Sequence, residues 1–269
     1  SLLVIRFLFG AGEAGAWPNA ARTFSRWFPV TERGTAQGIF FMGAHLGGAI
    51  TPLLVTYLLT FLPWRGVFVV FGAIGFVWAV SWYWWFRDEP EQHAAVRPQE
   101  LEHIQRGRGA AGWRRILTDR SLLALSAAYF TQGYSFYFFI TWLPTYLENA
   151  RGFTSTTLGV MAGLPLLMSV LADLLGGITT DRLTKRFGLR VGRCGVGGVS
   201  LLLASILLIA GTATDHAYLG VALISIALAF SNFLLGASWG TCVDIAGGHA
   251  GVVSAFMNTA GQIGGFLSP

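Results

Sequence analysis

Long apolar runs, separated by short polar turns, dominate the chain. They cover roughly 2–21, 35–61, 65–86, 122–147, 156–180, 194–213, 217–243 and 251–269. Each is close to or above the 18–20 residues that a helix needs to cross a bilayer. The pattern predicts an all-α membrane protein with these runs as spanning helices. The one long interruption, Arg87 to Ser121, is polar and charged, and predicts a linker with a short surface helix near Glu100–Arg108.

Two charges break the first run. Arg6 and Glu13 lie seven residues apart, two helical turns less about 20°, so both point the same way. Their axial separation of about 10 Å exceeds the reach of an i,i+4 ion pair. Each charge at the bilayer centre costs about 2.5–3.5 kcal/mol even on the lenient insertion scale, so both are expected to meet a substrate, a coupling ion or another helix.

Composition agrees with a membrane protein. Of 269 residues, 54% are hydrophobic and 12% charged, against about 25% charged in soluble domains. The 35 glycines suit helices whose backbones approach closely. Cys194 and Cys242 suggest neither a disulfide framework nor a metal motif. The net charge of +5 does not point to nucleic acid, because its distribution alternates. Fifteen of the 18 basic residues fall in three stretches. These are Arg22–Arg33, Arg87–Arg120 and Arg182–Arg193; the intervening loops hold Arg65 and Arg151. By the positive-inside rule the three basic stretches are cytoplasmic, and the first span runs from outside to inside. A multi-pass protein of the cell inner membrane is expected.

Ser1 rather than Met at the start, and Pro269 inside an apolar run at the end, are expected of a piece of a longer chain. An internal echo suggests two related halves. Gly34, Gly47, Gly48, Thr51 and Pro52 recur 217 residues later as Gly251, Gly264, Gly265, Ser268 and Pro269, with His45 opposite Gln262. Chance is the alternative in so glycine-rich a chain; duplicated helix bundles are common in transporters.

Several motifs carry a resemblance. They are Arg6-Phe-Leu-Phe-Gly-Ala-Gly-Glu13, Trp17-Pro18, Trp27-Phe28-Pro29-Val-Thr-Glu32-Arg33-Gly34, Trp64-Arg65, Asp88-Glu-Pro90-Glu-Gln-His93, and the run from Tyr134 through Tyr137 and Trp142 to Tyr146. Together they resemble the anion:cation symporters of the major facilitator superfamily. Gly177-Ile-Thr-Thr-Asp181-Arg182-Leu-Thr-Lys185-Arg186 looks like that superfamily's loop motif between helices eight and nine. The resemblance implies a major facilitator helical bundle with eight of twelve transmembrane helices present, numbers four to eleven. Residues 1–86 would close an N-terminal bundle (helices four to six), 87–121 would be a cytoplasmic linker, and 122–269 a truncated C-terminal bundle (helices seven to eleven).

The family includes bacterial transporters of sugar acids such as galactonate, glucarate and hexuronates, and vertebrate carriers of glutamate, sialic acid and phosphate. The resemblance therefore implies proton-coupled uptake of an organic anion by alternating access. Efflux or exchange on the same fold is the near alternative, and a non-transporting membrane sensor the distant one. No enzyme motif, metal cluster or cofactor signature is present in the sequence; the coupling ion would be a proton, with sodium as the alternative. The expected partners are a small anionic substrate and the lipid bilayer, with no nucleic acid, and the chain is expected to be monomeric.

Glu13 is the candidate for proton coupling, against a structural carboxylate bonded to another helix. Arg6 is the candidate anion sensor, because its planar fork grips a carboxylate bidentately, against a gate residue that never meets substrate. His45 stands alone on a glycine-rich face, as a pH-sensing or ligand group or as a histidine bonded between helices. It departs from the family pattern, in which sugar-acid members carry glutamine nearby. Tyr134 and Tyr137, at i,i+3, suit a polyhydroxylated ligand or plain aromatic packing. Asn258 and Gln262, at i,i+4, suit a cavity wall or a helix contact, and Ser238 and Trp239 are weaker candidates. Asp181, Arg182, Lys185 and Arg186 are expected to gate the cytoplasmic side, with Asp181 accepting from an arginine or a helix N-terminus. Asp173, eight residues before Asp181, is read as structural or gating rather than coupling. Trp78, Trp82, Trp84 and Trp85 are expected to anchor their span at the interface.

Overall fold

A computed structural model describes residues 2–105, 119–153 and 155–268. The described residues are helical almost throughout. The helices are α1 (Leu2–Glu13), α2 (Ala16–Trp27), α3 (Arg33–Leu58), α4 (Trp64–Trp85), α5 (Pro98–Gln105), α6 (Arg120–Asn149), α7 (Ser155–Phe187), α8 (Val196–Ala213), α9 (Ala217–Ala246) and α10 (Ala250–Leu267). The surface helix expected at Glu100–Arg108 is α5. Residues 106–118, with Arg106, Arg108, Arg114 and Arg115, lie outside the described residues.

The first apolar run is two helices rather than one. Pro18 has no N–H to give the carbonyl of Ala14, and the helix breaks at Ala14–Gly15. Ala14 N–H still reaches Gly10 and Asn19 N–H reaches Gly15, at 2.9 and 3.0 Å. A six-residue π-helical turn, Arg190–Gly195, leads into α8. The turn before it needs Gly188, whose φ of +84° is left-handed.

Among the described residues, five helical segments are long and apolar enough to cross a membrane: Arg33–Leu58, Trp64–Trp85, Thr157–Phe187, Arg190–Ala213 and Ala217–Ala246. The expectation of eight spans is met by length and composition at these five. The break at Ala14–Gly15 divides a sixth. In α6 and α10 polar residues such as Gln132, Tyr137, Asn258 and Gln262 lower the hydropathy, and those four side chains border a cavity.

Small residues set the packing. α3 crosses α7, α7 and α8 pack on α9, α10 lies along α6, and α2 touches α10. A Cβ on Gly38 would run into the carbonyl of Asp173, and one on Gly177 into that of Gly34. Backbone-to-backbone approach of this kind is how membrane helices associate when no hydrophobic driving force separates lipid from protein. The apolar side chains of α1, α4 and α8, Phe7, Phe9, Ile74, Trp78, Val199 and Ile206 among them, point outward, as lipid-facing surfaces do.

The basic segments gather at one end. Arg22 and Arg26 pair with Asp88, and Arg26 also with Glu89. Trp27 donates its indole N–H to the Arg87 carbonyl. His103 of α5 meets Glu32 at 3.1 Å. Arg151, at the opposite end, donates to the carbonyls of Thr214 and Gly211 at the close of α8, where cations suit the helix terminus.

Candidate functional site

Among the helices lies a cavity of about 1110 Å³, at the upper limit of ordinary small-molecule pockets, about 300–1,000 Å³. Its wall draws on α1 (Gly10, Glu13), α3 (His45, Gly48), α6 (Gln132, Tyr137) and α10 (Asn258, Gln262), with α7 and α9 supplying apolar side chains. Tyr137 donates its hydroxyl to the Gln262 amide oxygen at 3.3 Å. This links two cavity-facing side chains through a bond that a polar ligand can exchange for its own. Gln132 donates to Asn232, and Asn232 to Ser169, at 3.1 and 2.8 Å. That chain satisfies buried amides between α6, α9 and α7.

Between the cavity and the basic end stands an aromatic plug. Trp17 stacks on Phe41 at 5.0 Å between centroids, and Trp239 lies within 5.8 Å of Trp17, Phe41 and Tyr129. Cys242, Met257 and Ala246 complete this buried cluster. Ser238 and Trp239 belong to this region of α9 and do not border the cavity.

Behind the plug is a network of four charges, two of each sign: Arg33, Arg193 and Asp181 are buried and Asp244 is partly so. Arg33 donates to Asp244 at 2.9 Å; Arg193 donates to Asp244 at 3.1 Å and to Asp181 at 3.3 Å. Arg33 also takes the Ser25 and Phe28 carbonyls at the end of α2, and Arg193 that of Val30. Asp181 accepts from the backbone N–H groups of Gly34 and Thr35 at 3.0 and 2.5 Å. It therefore caps the first turn of α3 from another helix, where orphan amides and the positive end of the dipole favour an anion. The π turn delivers Arg193 inward, since Gly192 allows it to pass against Thr184. One further pair crosses higher up: His45 Nδ1 and Asp173 Oδ2 are 2.5 Å apart.

Of the residues singled out from sequence, Glu13, His45, Tyr137, Asn258 and Gln262 border the cavity. Arg6 does not. It is exposed on α1, two turns from Glu13 and beyond the edge of the wall. Tyr134 also lies off the wall. The face that borders the cavity is Gly133, Phe136, Tyr137 and Ile140. The 60° between positions i and i+3 carries Tyr134 out of it, and its backbone packs on Gly264. Of the two tyrosines, Tyr137 borders the cavity and Tyr134 does not.

Asp181 is buried in the charge network, whereas Arg182, Lys185 and Arg186 are exposed. Arg186 lies 5.1 Å from the Phe187 ring centre, and Lys185 borders a shallow groove with Phe24, Phe28 and Glu32. Sequence reasoning counted Arg33 and Arg193 only as loop charges and passed over Asp244. The available signal was three charges at the ends of apolar runs with no local partner. Among the described residues, no group of three or more His, Cys, Asp or Glu is placed to hold a metal ion.

Comparison with known proteins gives the fold its family. The probable sulfoacetate transporter of Cupriavidus necator is 39% identical over 277 residues, covering 100% of this chain and 64% of that protein. The probable galactarate/D-glucarate transporter of Bacillus subtilis is 32% identical, covering 100% of this chain and 62% of its own length. The hexuronate transporter of Bacillus subtilis is 30% identical, with 100% and 65% covered. The chain spans less than two thirds of the length of each of these relatives. The sequence profile of the Major Facilitator Superfamily matches residues 1–269, and the chain belongs to that superfamily.

Proposed function

We propose that the chain is the central part of a secondary active transporter that takes up an organic anion together with protons by alternating access. Two helical bundles, 1–86 and 122–269, would rock about the cavity, joined by the 87–121 linker. The basic end would face the cytoplasm across the cell inner membrane. The observation that carries this reading is the cavity itself. It holds a carboxylate on its wall, hydroxyl and amide donors beside it, and a plug and a neutral ion network on one side only. A carrier must close one side while the other admits substrate.

The substrate class follows from the relatives and from the wall chemistry. The relatives' names specify sulfoacetate, galactarate, glucarate and hexuronate, all small carboxylates. Tyr137, Asn258, Gln262 and His45 can bond hydroxyl and carboxylate oxygens. Glu13 takes a proton when the anion enters, so that the loaded site approaches neutrality before it crosses the low-dielectric core. Arg6, outside the wall, draws the anion toward the cavity mouth by its charge.

The test is uptake by the full-length protein in proteoliposomes with an imposed pH gradient, offering labelled hexuronate, galactarate and sulfoacetate. Wild type concentrates at least one of them. Glu13→Gln retains exchange of that anion but no longer concentrates it. Undiminished uphill uptake by the variant overturns the assignment.

A further inference from the structure

Asp173 is fully buried, with one oxygen against His45 and the other, Oδ1, without a partner. Among the described residues neither Lys nor Arg is paired with it. The charged and titratable groups on the elements around the pair are committed elsewhere or stand across the cavity. On α3, Arg33 holds Asp244. On α7, Asp181 is taken by Gly34, Thr35 and Arg193. On α6, Tyr137 bonds Gln262, and the Phe136 ring lies 5.6 Å from the His45 ring. On α9, Asp244 and Cys242 belong to the network and the plug. α10 carries no charged residue, and α1 brings Glu13 to the same cavity and Arg6 outside it. His45 is therefore the sole countercharge that Asp173 has within reach among the described residues, and His45 also borders the cavity.

The pair bridges α3 and α7 beside their backbone-to-backbone approach. A Cβ on Gly38, two turns from His45, would strike the Asp173 carbonyl. The His45–Asp173 contact bridges α3 and α7, so a parting of the two helices that reaches this level separates His45 from Asp173.

We propose that His45 and Asp173 form a second proton-binding site, whose occupancy is tied to closure of the basic end. With the basic end closed, Nδ1–H of an imidazolium donates to Oδ2, and the two charges cancel in the dry interior. The second ring nitrogen is the atom that takes the proton, delivered by water in the cavity. When α3 and α7 part, the imidazolium loses its carboxylate, and the proton passes to water on the side that has opened. Protonation of the pair and closure of the basic end thus favour each other, by the reciprocity of linked equilibria. The inference rests on the proposed carrier reading, yet it concerns a different residue pair from Glu13.

The experiment uses the full-length protein with its own cysteines changed to serine and spin labels on cysteines introduced at Ala94 and Leu189. Both positions are exposed, Ala94 in the segment after α4 and Leu189 just after α7. Distances between labels are measured across pH 5 to 9. Wild type is expected to favour the short distance at low pH and to shift toward the long one as pH rises, with about a tenfold change in their ratio, equivalent to about 1.4 kcal/mol. His45→Gln and, separately, Asp173→Asn abolish that dependence; Glu13→Gln retains it. A pH-independent wild type, or a dependence that survives His45→Gln, overturns the proposal. Should only Asp173→Asn fail to fold, His45→Gln alone decides. Loss of the pH response in Glu13→Gln but not in His45→Gln places closure under Glu13 and also overturns it. Failure of the carrier reading shows instead in the uptake assay, where Glu13→Gln is decisive.

Discussion

Arg33 donates to Asp244 at 2.9 Å across 211 residues of sequence, joining the start of α3 to the end of α9. Asp244 is shared with Arg193, so removing Arg33 leaves a half-compensated carboxylate behind the plug. Breaking a buried pair by deleting one partner costs about 3–5 kcal/mol. Arg33→Gln is therefore expected to open the basic end. In a Cys194→Ser background, Cys242, now inaccessible within the plug, should react with a small maleimide at least about tenfold faster than in the parent. Unchanged labelling contradicts the role given to this pair.

The α3–α7 crossing depends on the absence of a Cβ. Gly38→Ala would force the helices apart at the Asp173 carbonyl, and overpacking of this kind costs about 1–3 kcal/mol. At Gly198 on α8, an added methyl would meet nothing within 4 Å. Its change to Ala should be neutral or stabilising by up to about 1 kcal/mol. Melting of the two variants in detergent, side by side, separates these outcomes.

Tyr137→Phe removes a hydroxyl from the cavity wall and leaves the ring. A hydrogen bond of this class contributes about 0.5–1.5 kcal/mol. Apparent affinity for whichever anion the wild type accumulates should fall by about two- to tenfold. Tyr134→Phe, off the wall, should leave affinity unchanged. Equal effects at both tyrosines would contradict the placement of the cavity.

Asp119 caps α6, accepting from Ser121 N–H at 2.6 Å. The Ser121 side chain, helped by the backbone N–H groups of Ser121 and Leu122, holds its carboxyl below the usual value of 3.8. A carboxyl lowered on folding stabilises the folded form above its unfolded value. That contribution is lost as pH falls below about 3.8 through the lowered value. Asp119→Ala should lower the melting point at pH 7, by the loss of about 1 kcal/mol typical of an N-cap. The difference should shrink as pH falls below about 3.8.

Much of this was legible in the sequence. The apolar runs fix the helices to within a few residues, because lipid leaves a helix no other way to satisfy its backbone. Glu13, Asn258 and Gln262 stood out because polar groups in apolar runs are costly and need a partner. What stayed hidden depends on neighbours far along the chain. Nothing local to Arg193 says that a π turn points it inward, and nothing local to Asp173 names His45 as its mate. Tyr134 misled because an i,i+3 spacing places two side chains near one another without placing both on the same wall. Arg6 shares a direction with Glu13, but the sequence does not say where the cavity wall ends.

Pro18 has a mechanical consequence. With the Ala14 carbonyl released, the rod from Leu2 to Trp27 is weakest to bending where it passes the cavity. Its inner piece is clamped to α10 and to the aromatic cluster through Trp17. Its outer piece, bearing Arg6 and ending at Glu13, carries no comparable tether among the described residues. Flexure there would swing the carboxylate relative to Asn258 and Gln262 while the aromatic cluster stays packed, so that one end of the cavity changes shape without disturbing the other.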